Sequence, residues 1–202
     1  PGNAGAVLRF LMGTAALVGQ DVRFVTAFEH SLGSRQHGDL LEALERLGVA
    51  TDSTDGRLPI VICGGRLRAL DGVRISGATS SQFLSSLLFL APFVEDGLDI
   101  EVFDSLVSRP LIRTTMEVMG TAGVQVAASD DLLSYRVDGG QSYRPGEYFV
   151  NGDYPSAAAI LSAAAITDSH IAIERLFEDR QGERAVIDVL RRMGVAVNYD
   201  GS

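Results

Sequence analysis

Four short stretches of the 202-residue chain carry side chains whose types and spacing could do chemistry: PGNAGAVLRF from Pro1, SRQHGD from Ser34, TSSQFL from Thr79 and VSRPLI from Val107. Asn3, Gly5 and Arg9 lie in the first, Arg35 in the second, Ser80, Ser81 and Gln82 in the third, and Ser108 with Arg109 in the fourth. Each stretch puts small or hydroxyl residues where an apolar helical run begins. The free N–H groups and positive dipole end of a helix start favour an anion there. An arginine fork grips carboxylate or phosphate with two parallel hydrogen bonds. The chemistry that fits is the binding of a small ligand with more than one acidic group. Each residue has a structural reading as well: Ser80 and Ser108 as helix caps, Gly5 as a close-packing glycine, Arg9 as a buried strut. The ordered series is what points to a site.

Composition narrows the partners. The chain has 17 basic and 26 acidic residues and a formal charge of −9, and every basic residue is arginine. That balance argues against nucleic acid or an anionic membrane surface, because both need a basic face. No apolar run approaches the ~20 residues of a membrane span, and no basic, apolar leader opens the chain, so a cytoplasmic protein is the expectation. Cys63 is the single cysteine, which leaves no internal disulfide and no cysteine-based metal cluster. It falls in the strand-like PIVICGG and reads as a small, buried apolar residue. His30, His37 and His170 lack ligand spacing and read as surface or loop residues. No metal site is expected.

The elements that would position these side chains recur along the chain. Alanine- or serine-rich helices are expected after Gly2-Asn3-Ala4-Gly5, after Thr79-Ser80-Ser81-Gln82 and after Gly152-Asp153-Tyr154-Pro155-Ser156. Each leads into a β-branched run that predicts a strand: DVRFVT from Asp21, LDIEVF from Leu98 and HIAIER from His170. A turn bearing Arg35, Arg109 or Arg180 then opens a second helix, and these arginines lie 74 and 71 residues apart. So steady a period over three copies is an internal repeat. Leu40, Leu41, Leu44 and Leu47 mark one apolar stripe, and Val186, Ile187, Leu190 and Met193 mark another. Gly48 and Gly194 are placed to end those helices, and Pro110 to begin the middle one. Strand-like VAT and PIVICG, then VQVAAS and SYRVDG, follow the first two second helices, and VAVNYD follows the third. Each unit therefore reads strand, helix, strand, helix, strand, strand, an α/β (α+β) pattern. The first copy is short of its opening strand and the third of its closing one, so the chain is expected to be an internal piece cut within its own repeat.

PGNAGAVLR, SRQHGDLLEAL, TSSQFLSSLL, VSRPLI, GGQSY and PGEYFVNGDYPSAAAILSAAAI, in that order and spacing, resemble the middle of the 5-enolpyruvylshikimate-3-phosphate synthase family over essentially the whole chain. The resemblance implies two domains, each of three βαβαββ units around a pseudo-threefold axis, an inside-out α/β barrel with substrates in the cleft. It implies that residues 1–144 are the second and third units of the first-completed domain. Residues 145–202 would be the re-entry unit of the other domain, reached through GGQSYRPG. The implied reaction moves the carboxyvinyl group of phosphoenolpyruvate to the 5-hydroxyl of shikimate 3-phosphate and releases phosphate, with no metal or organic cofactor. By position, Asn3, Gly5, Arg9, Arg35 and Gln82 match residues that bind phosphoenolpyruvate. Ser80, Ser81, Gln82 and Ser108 match residues that hold shikimate 3-phosphate.

The pattern has departures. Leu111 stands where many members have tyrosine, Ala6 and Phe10 replace a threonine and a proline, and Arg109 replaces a lysine found in some members. Asp153 resembles a catalytic aspartate by its GDYPSAA surroundings, but the motif order puts it in the re-entry unit. Glu178, Asp179 and Glu183 read as solvated charges at a helix start. The resemblance implies that the family's lysine-serine…arginine motif lies before the point where this chain begins, and that the carboxylates and lysine associated with proton transfer lie after the point where it ends. No catalytic residue is therefore expected within it, and the missing segments of the same parent chain are its expected partners. Two other readings remain: a UDP-N-acetylglucosamine carboxyvinyltransferase-like enzyme, which usually carries a reactive cysteine, and a non-catalytic fragment that needs a partner chain.

Overall fold

The computed structural model describes residues 1–68, 71–167 and 169–199, which separate into two compact units, Pro1–Arg144 and Pro145–Ser202. The first unit runs α1 (Gly5–Ala15), β1 (Asp21–Phe24), a wide π-type turn at Glu29–Gly33, α2 (Gly38–Arg46), β2 (Ala50–Thr54) and β3 (Arg57–Cys63). It continues with β4 (Val73–Ser76), α3 (Ser81–Leu90), β5 (Leu98–Phe103), α4 (Arg109–Thr121), β6 (Ala127–Ala128) and β7 (Ser134–Val137). The stretch β4–α3–β5–α4–β6–β7 is a complete strand-helix-strand-helix-strand-strand unit.

The two sheets repeat each other. One has the order β1-β3-β2, with both pairings antiparallel. The other has the order β4-β5-β7-β6, with β5-β7 and β7-β6 antiparallel and β4 added parallel to β5. Thus β5, β7 and β6 take the places of β1, β3 and β2. A parallel pair needs a crossover, and α3 supplies it between β4 and β5. Alternation is strict in β5, where Leu98, Ile100 and Val102 are buried and Asp99, Glu101 and Phe103 face out. On the outer face opposite charges meet across strands: Arg74 pairs Glu101 at 3.1 Å and Arg136 pairs Asp99 at 2.9 Å.

The repeat also shows in how the second helices end. Val49 N–H reaches Leu44 C=O, Val124 reaches Met119 and Val195 reaches Leu190, each across a glycine with positive φ: Gly48, Gly123 and Gly194. This six-residue closure is a Schellman cap, and a side chain with a Cβ resists the left-handed glycine position it requires. Three identical caps are consistent with the periodicity of the sequence.

The core explains which helix lies at the centre. In α3, Ser81, Phe83, Leu84, Ser85, Ser86, Leu87, Leu88 and Leu90 are buried, so the helix is enclosed on nearly every side. It packs on α1 and α4. α1 offers a narrower stripe of Leu8, Met12, Gly13 and Ala15, and α4 offers Ile112, Thr115 and Met119. Gly13 permits the α1–α3 approach: a Cβ there would stand 3.0 Å from the Ser86 carbonyl oxygen. Ser86 Oγ donates to the Arg9 carbonyl at 2.8 Å, which fixes the register of the two helices.

The second unit holds α5 (Tyr154–Ala165), a short turn at Gly182–Ala185 and α6 (Val186–Arg192). Its core is Tyr154, Ala157, Leu176 and Ile187. Tyr154 is fully buried; its hydroxyl donates to Phe177 C=O at 3.0 Å and lies 3.0 Å from the Tyr199 hydroxyl. The strands expected at 170–175 and 195–200 form no ladder among the described residues of this unit, and Asp200 lies outside those residues. A strand is defined by a neighbour, and β-branched runs lacking one stay merely extended. Asp179 is also not the solvated helix-start charge expected. It accepts from Asn151 Nδ2 at 3.2 Å and from Gln181 N–H at 2.8 Å, while Gln181 Oε1 accepts from Tyr154 N–H at 3.0 Å. Glu178 pairs with Arg184 at 2.8 Å.

Candidate functional site

The helix starts of the first unit bring the expected residues together around Arg9. Gly5 opens α1, and one turn on, Arg9 points at the start of α3. Its Nη1 donates to Ser80 Oγ at 3.1 Å and to Gln82 Oε1 at 2.6 Å. The guanidinium carbon lies 5.0 Å from the centre of the Phe83 ring, a cation–π contact in a half-buried setting. Ser80 caps α3, its Oγ accepting from Gln82 N–H at 3.3 Å. One hydroxyl thus serves both cap and arginine. Ser80→Ala is expected to lower stability by about 1 kcal/mol through the lost cap, read as a smaller urea midpoint with unchanged slope.

Arg35 reaches the same place from the turn before α2. A Cβ at Gly5 would stand 2.7 Å from Arg35 Nη1, so the guanidinium rests on the bare glycine backbone. Two cations are therefore neighbours. Burial first, and the charge of Arg35 second, hold Arg9 below its ordinary arginine value. Arg9 Nε is buried with no hydrogen-bond partner among the described residues. An orphaned buried donor costs about 1–3 kcal/mol, and two adjacent guanidiniums add repulsion. An arrangement that costs stability in this way suits a ligand with negative charge.

The remaining expected residues are distributed unevenly. Asn3 is exposed in the turn that precedes α1, where Ala4 N–H reaches Pro1 C=O. Ser81 is only 4% exposed, so of the two serines it is Ser80 whose hydroxyl meets Arg9. Ser108 is exposed and precedes α4 with φ 53°, and its side chain makes no cap hydrogen bond, contrary to the plain cap reading. Its loop is tied to the turn ahead of Ser80, since Val107 N–H donates to Gly77 C=O and Gly77 N–H to Phe103 C=O. Arg109 is turned away to the Asp131 carbonyl at 2.8 Å. Asp153 caps α5, accepting from Ser156 N–H at 2.9 Å. Cys63 ends β3 opposite Asp21, and a hydrogen bond to that carboxylate, followed by burial, pushes the thiol up, away from a nucleophilic thiolate.

One residue overturns its expectation. His37, read as a surface or loop residue, has no exposed surface at all. Its ring centre lies 6.1 Å from that of Phe83 in an edge-to-face arrangement, and neither ring nitrogen has a hydrogen-bond partner among the described residues. The hairpin turn between β2 and β3 closes over its backbone: His37 N–H donates to Gly56 C=O at 2.8 Å. Burial, then Arg9, then Arg35 push the imidazole down to about 4 from 6.5. A sequence signal existed, because position 37 carries the stripe of Leu40, Leu41 and Leu44 back by one turn.

Among the described residues no helix is long and apolar enough to cross a membrane, and no group of three His, Cys, Asp or Glu side chains is placed to hold a metal ion.

The family model described as EPSP synthase (3-phosphoshikimate 1-carboxyvinyltransferase) matches residues 1–202. The 3-phosphoshikimate 1-carboxyvinyltransferase of Deinococcus radiodurans is 48% identical over 202 residues, covering 100% of this chain and 45% of the relative. That of Methanococcoides burtonii is 39% identical, covering 98% of this chain and 46% of the relative. The chain thus spans a little under half the length of these relatives. In three dimensions it is similar to the EPSP synthase of Acinetobacter baumannii, with a TM-score of 0.72 at 22% identity over 96% of this chain and 42% of that one. This similarity gives the fold as the inside-out α/β architecture of those enzymes. The chain belongs to the EPSP synthase (3-phosphoshikimate 1-carboxyvinyltransferase) family.

Proposed function

We propose that the protein transfers the carboxyvinyl group of phosphoenolpyruvate to the 5-hydroxyl of shikimate 3-phosphate, and that this chain supplies anion-binding turns for both substrates. The observation that carries the reading is the meeting of Arg9, Arg35, Gly5 and Gln82 at the starts of α1 and α3. Asn3, Gly5, Arg9, Arg35 and Gln82 are assigned to phosphoenolpyruvate. Ser80, Ser81, Gln82 and Ser108 are assigned to shikimate 3-phosphate, Ser81 through its backbone N–H because its side chain is buried. In this reading Pro1–Arg144 holds the second and third βαβαββ units of one domain, and Pro145–Ser202 belongs to a unit of the other.

The chemistry suits such a site. The 5-hydroxyl loses its proton and adds to C2 of phosphoenolpyruvate as C3 gains a proton and becomes a methyl group, and the tetrahedral adduct then loses phosphate and a proton from C3. Both steps need acid–base groups and stabilised phosphate charge. The residues here serve the second need, with two guanidiniums and helix-start N–H groups.

The test is calorimetric titration of phosphoenolpyruvate, with and without shikimate 3-phosphate, into the chain and its Arg35→Ala variant. Loss of charge-assisted hydrogen bonds at about 1.5–3 kcal/mol is expected to weaken phosphoenolpyruvate by about 10- to 100-fold. Equal affinity in the two proteins would remove Arg35 from the site.

A further inference from the structure

His37 is a buried titratable side chain to which the proposed reaction gives no task. It stands in the N-cap position of α2 with no exposed surface and with both ring nitrogens unpartnered among the described residues. Close by, Arg9 Nε is buried and, among the described residues, unpartnered too. Phe83 links the two: the Arg9 guanidinium lies over its ring at 5.0 Å, and the His37 ring meets it edge to face at 6.1 Å.

The charged surroundings are one-sided. From α1 comes Arg9, and from the turn before α2 comes Arg35. α3 presents Gln82 and Phe83, which carry no charge. The β2–β3 turn over the His37 backbone contains Asp55 and is followed by Arg57, and α2 itself carries Asp39 in its first turn. Of all these, the two arginines are the charges that act on the ring. A protonated imidazole would be a third cation buried beside two others. A neutral one leaves the two guanidinium charges available to an incoming anion.

We propose that His37 is the proton-linked positioning residue of this anion site: it backs Arg9 and Arg35 as a neutral ring, and it takes a proton from solvent when an oxyanion binds and cancels their charge. The inference rests on the anion-site reading given above. Linkage makes the effect reciprocal, so the anion raises the proton affinity of the ring and the proton raises the affinity for the anion. A ring held near 4 in the free protein has room to rise toward 6.5.

The probe is sulfate, whose charge is constant over the working range, with the His37 imidazole resonances followed by NMR and assigned through His37→Gln. Saturating sulfate is expected to move the titration midpoint of His37 upward by about one to two pH units, equivalent to about a two- to tenfold gain in sulfate affinity from pH 7 to pH 5. In His37→Gln, a neutral side chain that retains hydrogen-bonding capacity, sulfate affinity is expected to vary little over that range. A role in packing alone would instead weaken sulfate equally at both pH values and leave the wild-type midpoint unmoved; that result overturns the inference. Phosphoenolpyruvate is titrated at pH 7 in parallel. If it binds in an Arg35-dependent way while His37 does not respond to sulfate, only the role of His37 falls. If neither anion binds, the site reading falls with it.

Discussion

Phe83→Ala is expected to remove about 3–5 kcal/mol of stability from the first unit, the range for emptying a fully buried aromatic position. Phe83 has no exposed surface and sits on the most enclosed helix of the chain. The loss combines the transfer of an apolar ring to water with the cavity left between α3 and its neighbours. A second effect follows, because the ring is the shared floor of Arg9 and His37. With it gone, Arg9 loses a cation–π partner worth about 0.5–2 kcal/mol. Sulfate affinity should then fall in Phe83→Leu as well, since that variant keeps most of the volume at a cost of about 1 kcal/mol but loses the same cation–π partner. Urea denaturation with fixed slope reads the stability, and sulfate titration reads the site. A Phe83→Ala cost below about 1 kcal/mol would show that Phe83 does not hold the helices as described.

The second large effect is acid sensitivity. In the unfolded chain His37 takes its ordinary value of 6.5, and in the folded chain about 4. Between those values the unfolded state binds more protons, so stability falls as pH drops through the window from 6.5 to about 4. Above 6.5 the full contribution is present, and below about 4 His37 takes nothing more away. The interval amounts to about 3 kcal/mol. Carboxylates titrate in the same range, so the quantity to measure is the difference between the wild type and His37→Gln in urea midpoints at pH 7 and pH 4.5. The wild type is expected to lose more stability on acidification. Parallel losses would mean that the ring is not held neutral by its burial and the two arginines. Sulfate, by favouring the protonated ring in the folded state, should narrow the difference.

Much of the architecture was legible in local pattern. The stripes Leu40-Leu41-Leu44-Leu47 and Val186-Ile187-Leu190-Met193 mark helical faces because 3.6-residue periodicity follows from backbone geometry alone. Gly48 and Gly194 were readable as stops because few other residues accept their φ of 84° and 88°. The grouping of Arg9, Ser80 and Gln82 was legible only as an ordered series of helix starts, and their hydrogen bonds span 71 and 73 residues. The strands at 170–175 and 195–200 could not be decided locally, since a ladder depends on a second strand that β-branched composition cannot supply.

By itself, the sequence determined the repeat, the apolar faces, the helix starts rich in hydroxyls and arginine, and the net charge of −9, all of them properties of neighbouring residues or of sums over the chain. Only the tertiary structure decided that Ser80 meets Arg9 while the Ser81 side chain is buried, and that Arg35 lies on Gly5. It alone turned His37 from a loop residue into a buried ring held neutral by burial and by the charges of two arginines. The physical reason is that burial and charge at a site are set by what packs there. At His37 those neighbours are Arg9, Gly56 and Phe83, brought from distant parts of the chain by the closing of the hydrophobic core.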